Sequence, residues 1–264
     1  MKIFYYILVI HVATGGCWNS INPESNVMDE RPNKMIINGV EADVKDYPYQ
    51  VALFSTNQFV CGAIIIADQF IITAAHCFAS NNTCDYMVKA GVSRIDECGQ
   101  QLGVAKLLMH EKYLGDKHNY DIGIMKVDKP FKFGDGVQKI KLPDNSVCAK
   151  AGDVVLVTGF GRTERNKKKE KERNMKLYVL KSPLATREKC MTNKNEIIAE
   201  PHICLDHSDG YGICLGDSGG PMVIDGYLIG IATRIQKACG ADKPDVFTSV
   251  MYFLGWIYNT ISNN

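Results

Sequence analysis

Short apolar runs, each about the length of a strand and separated by Gly, Asn and Asp, recur through most of this 264-residue chain. Residues 50–54, 62–66, 104–109, 154–158 and 228–233 are examples. Runs of that length and spacing predict antiparallel strands closed into a sandwich or barrel, an all-β class. Residues 251–261 differ: Phe253, Leu254, Ile257 and Ile261 fall at helical spacing and predict a C-terminal helix with one core-facing stripe. A hydrophobic content of 46% is enough to bury a large core, and one all-β unit of this size is ordinary. No internal sequence repeat is visible.

A net charge of +1 gives no reason to expect a nucleic acid or an acidic partner. The chain begins with Met1 and Lys2, continues with an apolar stretch over residues 3–12, and then offers the small residues Ala13, Thr14 and Gly15. The stretch is too short to span a bilayer. A charged start, an apolar run and a small exit in that order read as a secretory signal peptide over residues 1–15. Residues 16–35 are polar, with Pro, Asn, Glu and Asp, and read as a propeptide without a folded module. Ten cysteines agree with an extracellular, oxidising destination.

Chemistry enters at Gly216-Asp217-Ser218-Gly219-Gly220-Pro221. A serine set between glycines can sit on a sharp turn with two backbone N–H groups aimed at one point, which supplies a nucleophile and an oxyanion hole together. Alone, the hexapeptide could be a glycine-rich turn. Upstream, however, lie Thr73-Ala74-Ala75-His76-Cys77 and Asp121-Ile122-Gly123-Ile124. His, Asp and Ser in that order, each in its own local signature, resemble the chymotrypsin-like (trypsin-fold) serine proteases. The resemblance extends from Ile36-Ile37-Asn38-Gly39 through Tyr47–Val51, Cys61-Gly62, Leu142-Pro143 and Gly159-Phe160-Gly161 to the C-terminus.

The resemblance implies two six-stranded antiparallel β-barrels packed together, with the C-terminal helix, over residues 36–264 and a crossing near 140–150. It implies a secreted endopeptidase in which Ser218 attacks, His76 moves the proton, Asp121 orients His76, and the N–H groups of Gly216 and Ser218 hold the oxyanion. It also implies a zymogen: cleavage frees the amine of Ile36, which turns inward to pair with Asp217. Met35 departs from the usual Arg or Lys before that cut. A tryptic activator would cut after Lys34 and leave Met35 as the terminus. Three alternatives stay open: an activator that accepts Met, a second trimming step, or impaired activation.

The same resemblance pairs Cys61 with Cys77, Cys190 with Cys204 and Cys214 with Cys239. Of the four left, Cys84 and Cys98 flank one strand and its turn and could close a local loop. Cys17 and Cys148 would then tether the propeptide to the crossing between barrels. A free Cys148, with Cys17 discarded, is the other reading. Val155 and Ile224 stand where one common family bridge would be.

In the primary pocket, the resemblance puts Gly212 at the floor beside Ile213, with Thr233, Arg234, Ile235 and Asp245 along the walls. A floor without a carboxylate argues against simple trypsin-like selection. Ile235 narrows the mouth, and together these favour small or medium apolar side chains before the scissile bond. Asp245 opens a second reading, mixed specificity that includes basic residues, unless it is spent on Lys243 or on solvent. A non-catalytic binding homologue is the alternative in a different class, motivated by Met35, Arg234 and Ile235.

The remaining features carry less. Asn81-Asn82-Thr83 is a glycosylation sequon. The charge run over residues 165–173 reads as a solvated loop, since its glutamates blunt the field. His11, His110, His118, His202 and His207 lack a comparable context and read as surface or structural residues. No residues show metal-ligand spacing. The family's calcium loop is shortened between Gly91 and Gln101, so no metal and no cofactor is expected. Expected partners are a protein or peptide substrate, an activating protease and protein inhibitors of proteases, with no nucleic acid or membrane, and the chain is expected to be a monomer.

Overall fold

The computed structural model describes residues 36–115, 119–162, 176–191, 201–236 and 238–264. The signal and propeptide segments, Met35, Cys17, His11, His118 and the charge run lie outside the described residues.

Six strands form a closed barrel: β2 (Gln50–Ser55), β3 (Gln58–Ala67), β4 (Phe70–Thr73), β5 (Tyr86–Ala90), β6 (Gln100–Met109) and β7 (Gly123–Val127). Their order is β2-β3-β4-β7-β6-β5, closing on β2 through antiparallel pairs. The β2–β3 hairpin turns on Thr56 and Asn57, both at positive φ (47° and 63°), the two-residue geometry whose twist matches the flanking strands.

The second sheet contains β8 (Val154–Gly159), β9 (Tyr178–Pro183), β10 (His202–Leu205), β11 (Pro221–Ile224), β12 (Tyr227–Arg234) and β13 (Asp245–Ser249), with the short β1 (Val40–Glu41) added on β9. Its order is β1-β9-β8-β11-β12-β13-β10. A single antiparallel bridge, Leu184 to Leu205, joins the end of β9 to β10 and closes the six strands β8–β13 into the second barrel. Asp225-Gly226, the strongest short hairpin signal in the sequence, makes the β11–β12 turn with both residues at positive φ.

The helices are α1 (Arg187–Cys190) and α2 (Val250–Ser262). Ser249 caps α2 by accepting the Tyr252 N–H at 3.4 Å. Val250, Phe253 and Ile257 of α2 bury into the first barrel's core, and Leu254 and Ile261 pack at its edge. The predicted stripe is therefore the packed face.

Packing on two sides explains why every residue of β2 is buried. Val51 and Leu53 enter the first barrel's core, while Ala52 and Phe54 join Phe160 and Leu177 in a separate cluster between the barrels. Gln50 adds a polar strut there, its Oε1 accepting the Thr158 hydroxyl at 2.7 Å with Gln50 only 1% exposed. This junction fixes the barrels' relative position, and the functional residues collect beside it.

Three bridges form as expected: Cys61–Cys77, Cys190–Cys204 and Cys214–Cys239. Cys148 is disulfide-bonded, and its partner lies outside the described residues. Cys84 and Cys98 are not joined but are exposed free thiols, which corrects the local loop expected between them. The reason is register. β5 and β6 pair Met87 with Gly103 and Ala90 with Gln100, so Cys98 lies near the turn while Cys84 lies beyond the far end of β5. Five strand residues at ~3.3 Å each separate them by more than the ~7 Å a disulfide can span.

Candidate active site

His76 follows the end of β4, on a short 3-10 turn over Ala75–Cys77. The Cys61–Cys77 bridge fastens this turn to β3. Asp121 lies just before β7, whose first residue pairs with Thr73 at the end of β4. Strand pairing thus brings two residues distant in sequence to one edge of the barrel. The His76 N–H donates to Asp121 Oδ1 at 2.8 Å, and His76 Nδ1 lies 2.6 Å from Oδ2. Asp121 is fully buried and the His76 side chain is 26% exposed. A carboxylate can only accept, so Nδ1 carries the proton and Nε2 is left as the base. The close approach of Cys61, His76 and Cys77 offers no metal site, because both sulfurs are in the disulfide.

Behind Asp121 stands Thr248, whose hydroxyl donates to the Asp121 carbonyl at 3.0 Å. Thr233 Oγ1 lies 2.8 Å from Thr248 Oγ1. The Thr233 hydroxyl therefore reaches Asp121 through a relay. The sequence reading missed Thr248, which no motif marks and which lies 127 residues from Asp121 in the chain.

Ser218 comes from the second barrel and is partly exposed. Gly62 of β3 donates its N–H to the Ser218 carbonyl at 2.8 Å, and Gly219 donates to the Ala232 carbonyl at 2.7 Å. A side chain on Gly219 would meet Thr73 Oγ1 at 2.0 Å and the Gly62 carbonyl at 2.3 Å, so only glycine lets this loop press against β3 and β4. The serine segment is thus docked on the strands that lead to His76. The N–H groups of Gly216 and Ser218 donate to no acceptor among the described residues. Two unspent donors either side of Asp217 are what a developing oxyanion requires.

Asp217 points the other way, into the protein, and is fully buried. Its Oδ1 accepts the Gly161 N–H at 2.8 Å and its Oδ2 the Cys214 N–H at 2.9 Å. Burial pushes its carboxyl up to about 7; the two N–H donors oppose that shift, and Asp245 adds to it. Ile36 is also fully buried, in the second barrel's core.

At the pocket, Gly212 and Ile213 are buried, Thr233 is buried on β12, and Arg234 and Ile235 are partly buried at its end. Ile235 packs against the second core. Asp245 opens β13 and is 1% exposed. It pairs neither with Lys243 nor with solvent. Its Oδ2 accepts the Ile213 N–H at 2.7 Å and lies 3.1 Å from His207 Nε2, a close but poorly aligned contact. A side chain on Gly212 would meet Asp245 Oδ2 at 2.4 Å and His207 Nε2 at 2.8 Å. Asp245 and His207 therefore lie against Gly212, and the His207 side chain is buried, as a structural residue, and not at the surface. Its place next to Asp245 depends on a loop path that no local pattern announces. A cavity of about 780 Å³ has Asp206, His207 and Tyr211 as part of its wall.

Asn81 of the sequon is exposed. His110 is a packed structural residue, as expected, beside Tyr120, Phe253 and Trp256.

Comparison with known proteins gives one answer. The sequence model of the family described as Trypsin matches residues 36–257. The chain belongs to the trypsin family. It is a hydrolase of the serine protease class, and proteins are its substrates. Kallikrein-8 of Rattus norvegicus is 30% identical over 233 residues, which cover 86% of each chain. Trypsin of Sus scrofa is 32% identical over 233 residues, 87% of this chain and 96% of its own. Among solved structures, neuropsin, described as a serine protease expressed in the limbic system of mouse brain, aligns with a TM-score of 0.75 at 29% identity. That alignment covers 84% of this chain and 98% of neuropsin. No helix among the described residues is long and apolar enough to cross a membrane.

Proposed function

We propose that this trypsin-family member is an active secreted endopeptidase working through Ser218, His76 and Asp121. The observation that carries this reading is the His76–Asp121 pair at 2.6 Å beside a serine loop whose Gly216 and Ser218 N–H groups are unspent. Ser218 Oγ attacks the scissile carbonyl carbon while His76 Nε2 takes its proton. The carbonyl oxygen becomes the oxyanion held by the two N–H groups. As the intermediate collapses, the C–N bond breaks and His76 gives its proton to the departing amine. Water then enters by the same route and frees the acyl group, regenerating Ser218.

Activation is cleavage ahead of Ile36. The family match starting at that residue supports this boundary, as does the burial of Ile36 in the same half as Asp217. Residues 1–15 act as the signal and 16–35 as the propeptide, with Cys17 the proposed partner of Cys148. An activating protease and protein inhibitors are the proposed partners of a monomeric enzyme, glycosylated at Asn81.

Between the apolar and basic readings of the primary pocket, the buried Asp245 beside Gly212 favours a pocket that accepts basic side chains, with Ile235 limiting its width. The names of the trypsin and kallikrein relatives agree with that preference. Cleavage of a diverse peptide library by protein cut at Ile36, with Ser218→Ala as control, tests the proposal. Serine-dependent cuts support an endopeptidase, and their sites decide the pocket. No cuts from a correctly trimmed enzyme would return the chain to the class of binding homologues.

A further inference from the structure

His207 stands where a substrate's charge would have to go. Its Nε2 is 3.1 Å from Asp245 Oδ2, and both atoms occupy the space into which a side chain on Gly212 would project. Its side chain is 1% exposed and that of Asp245 2%. A lysine or arginine reaching the pocket floor therefore meets a carboxylate that already has a neighbour able to bear a positive charge.

We propose that His207 is a specificity-determining residue whose imidazolium competes with a basic substrate side chain for Asp245, so that protonation closes the pocket to lysine and arginine while neutral side chains still enter. The proposal rests on the endopeptidase reading above and names the regulation of its pocket.

The surroundings support a ring that titrates. His207 is part of the wall of the large cavity, which gives protons a path to a side chain hidden from the outer surface. Charged groups face that cavity from each neighbouring element: Lys181 of β9, Glu188 and Lys189 of α1, Asp206 of its own loop, and Asp242 and Lys243 before β13. They are mixed in sign, and Lys189 is engaged by Asp206 at 2.7 Å, so Asp245 remains the nearest charge. Burial lowers the affinity of the ring for a proton, but contact with Asp245, the Ser208 carbonyl and Asp206 outweigh it, and His207 holds its proton above the ordinary histidine range. Burial also raises the Asp245 carboxyl, with His207 opposing that shift. Both titrations point the same way. As pH rises, Asp245 is ionised and loses its internal cation, so a basic side chain gains most.

Rates alone cannot test this, because every substrate shares the proton transfers at Ser218. The ratio of kcat/KM for arginine and leucine peptides of otherwise identical sequence cancels that shared step. On enzyme cut at Ile36, the ratio is expected to climb on the order of tenfold between about pH 6 and pH 9, the usual scale of coupling between two ligands of one group. In His207→Gln the climb should shrink to what the ionisation of Asp245 alone contributes, with His207→Asn as the second variant should glutamine fail to fold. A flat ratio in the natural enzyme overturns the proposal, and so does a climb of undiminished size in both substitutions. Benzamidine binding to the Ser218→Ala protein separates this failure from failure of the endopeptidase reading, since it needs no turnover. Affinity that rises with pH, and rises less once His207 is substituted, supports the gate, and pH-independent affinity overturns it, whether or not any peptide is cut.

Discussion

The hydroxyl of Thr248 donates to the main-chain carbonyl of Asp121 at 3.0 Å, tying β13 of the second barrel to the residue that orients His76 in the first. The acceptor residue is buried. In Thr248→Val the carbonyl loses this donor at constant side-chain volume, which costs about 1–3 kcal/mol of stability. Some of that loss is expected in the position of Asp121. The expected outcome is kcat lowered about tenfold, ~1.4 kcal/mol of barrier, with KM nearly unchanged. A fall in melting temperature with unchanged kcat would make Thr248 structural only. Thr248→Ser, which restores the hydroxyl, should recover kcat.

Asp217 makes the uncut chain sensitive to pH in an unusual direction. Its carboxyl is raised to about 7 from 3.8, chiefly by burial. For an acid whose folded value is raised, the folded state binds the proton more tightly, so this group stabilises as pH falls from about 7 toward about 4 and destabilises above. The full span is on the order of 4 kcal/mol. In the proposed activation, cleavage ahead of Ile36 supplies an ammonium able to pair with the ionised form. Chemical denaturation of the uncut chain across this range should show a gain on acidification that Asp217→Asn abolishes. After cleavage the gain should vanish or reverse. An unchanged pH profile after cleavage would separate Ile36 from Asp217.

Much of this arrangement can be read in the sequence because it depends on local chemistry. The Asp225-Gly226 turn, the stripe of Phe253 and Ile257, and the glycines around Ser218 each announce their geometry within a few residues. The motif at His76 works because a disulfide partner sits one residue away. The pocket floor resisted reading for the opposite reason. Asp245 comes from β13 while His207 and Gly212 share the loop after β10, and what brings the two segments together is the pairing of β10 with β13. Gly212 suggested a floor without charge, yet the missing side chain leaves the room that a carboxylate from elsewhere fills. Cys84 and Cys98 misled in the same way, since closeness in sequence across a hairpin says nothing of which end each occupies.

Those two cysteines give a simple count. Thiol titration of the folded, unreduced protein should find two reactive groups, because both are exposed. Cys84→Ser and Cys98→Ser should each remove one and shift the melting temperature little, as substitutions at open surface sites do. Zero reactive thiols would restore the bridge and require β5 and β6 to pair in another register.

His110 couples the C-terminal helix to acid. It is 7% exposed, packed with Tyr120, Phe253 and Trp256, and its Nδ1 accepts the Lys112 N–H at 3.1 Å. Burial lowers its pKa from the ordinary 6.5; Glu111 opposes that shift and Lys112 adds to it. A base with a depressed folded value is protonated more readily when unfolded, so the fold loses stability as pH drops below about 6.5. Melting curves should show this loss in the natural chain and a shallower one in His110→Phe, which keeps the aromatic contacts. Equal slopes would place the acid sensitivity elsewhere.

Lys89 organises the shortened loop between Gly91 and Gln101. Its side chain turns inward and is 7% exposed, and Nζ donates to the carbonyls of Ile95 at 2.7 Å and Glu97 at 3.0 Å. Glu97 in turn accepts the N–H groups of Ser93 and Arg94 at 2.9 and 3.2 Å. A fixed ammonium thus gathers carbonyl oxygens in the segment where the family places a calcium ion. Lys89→Met keeps the stem's packing but removes both donors to partly or fully buried carbonyls, at a cost of about 1–3 kcal/mol for each left unpaired. The variant should melt lower and be cut faster within residues 92–98 by an added protease. A chelator should leave the melting temperature of the natural chain unchanged, and a drop on chelation would show that a metal shares the loop with Lys89.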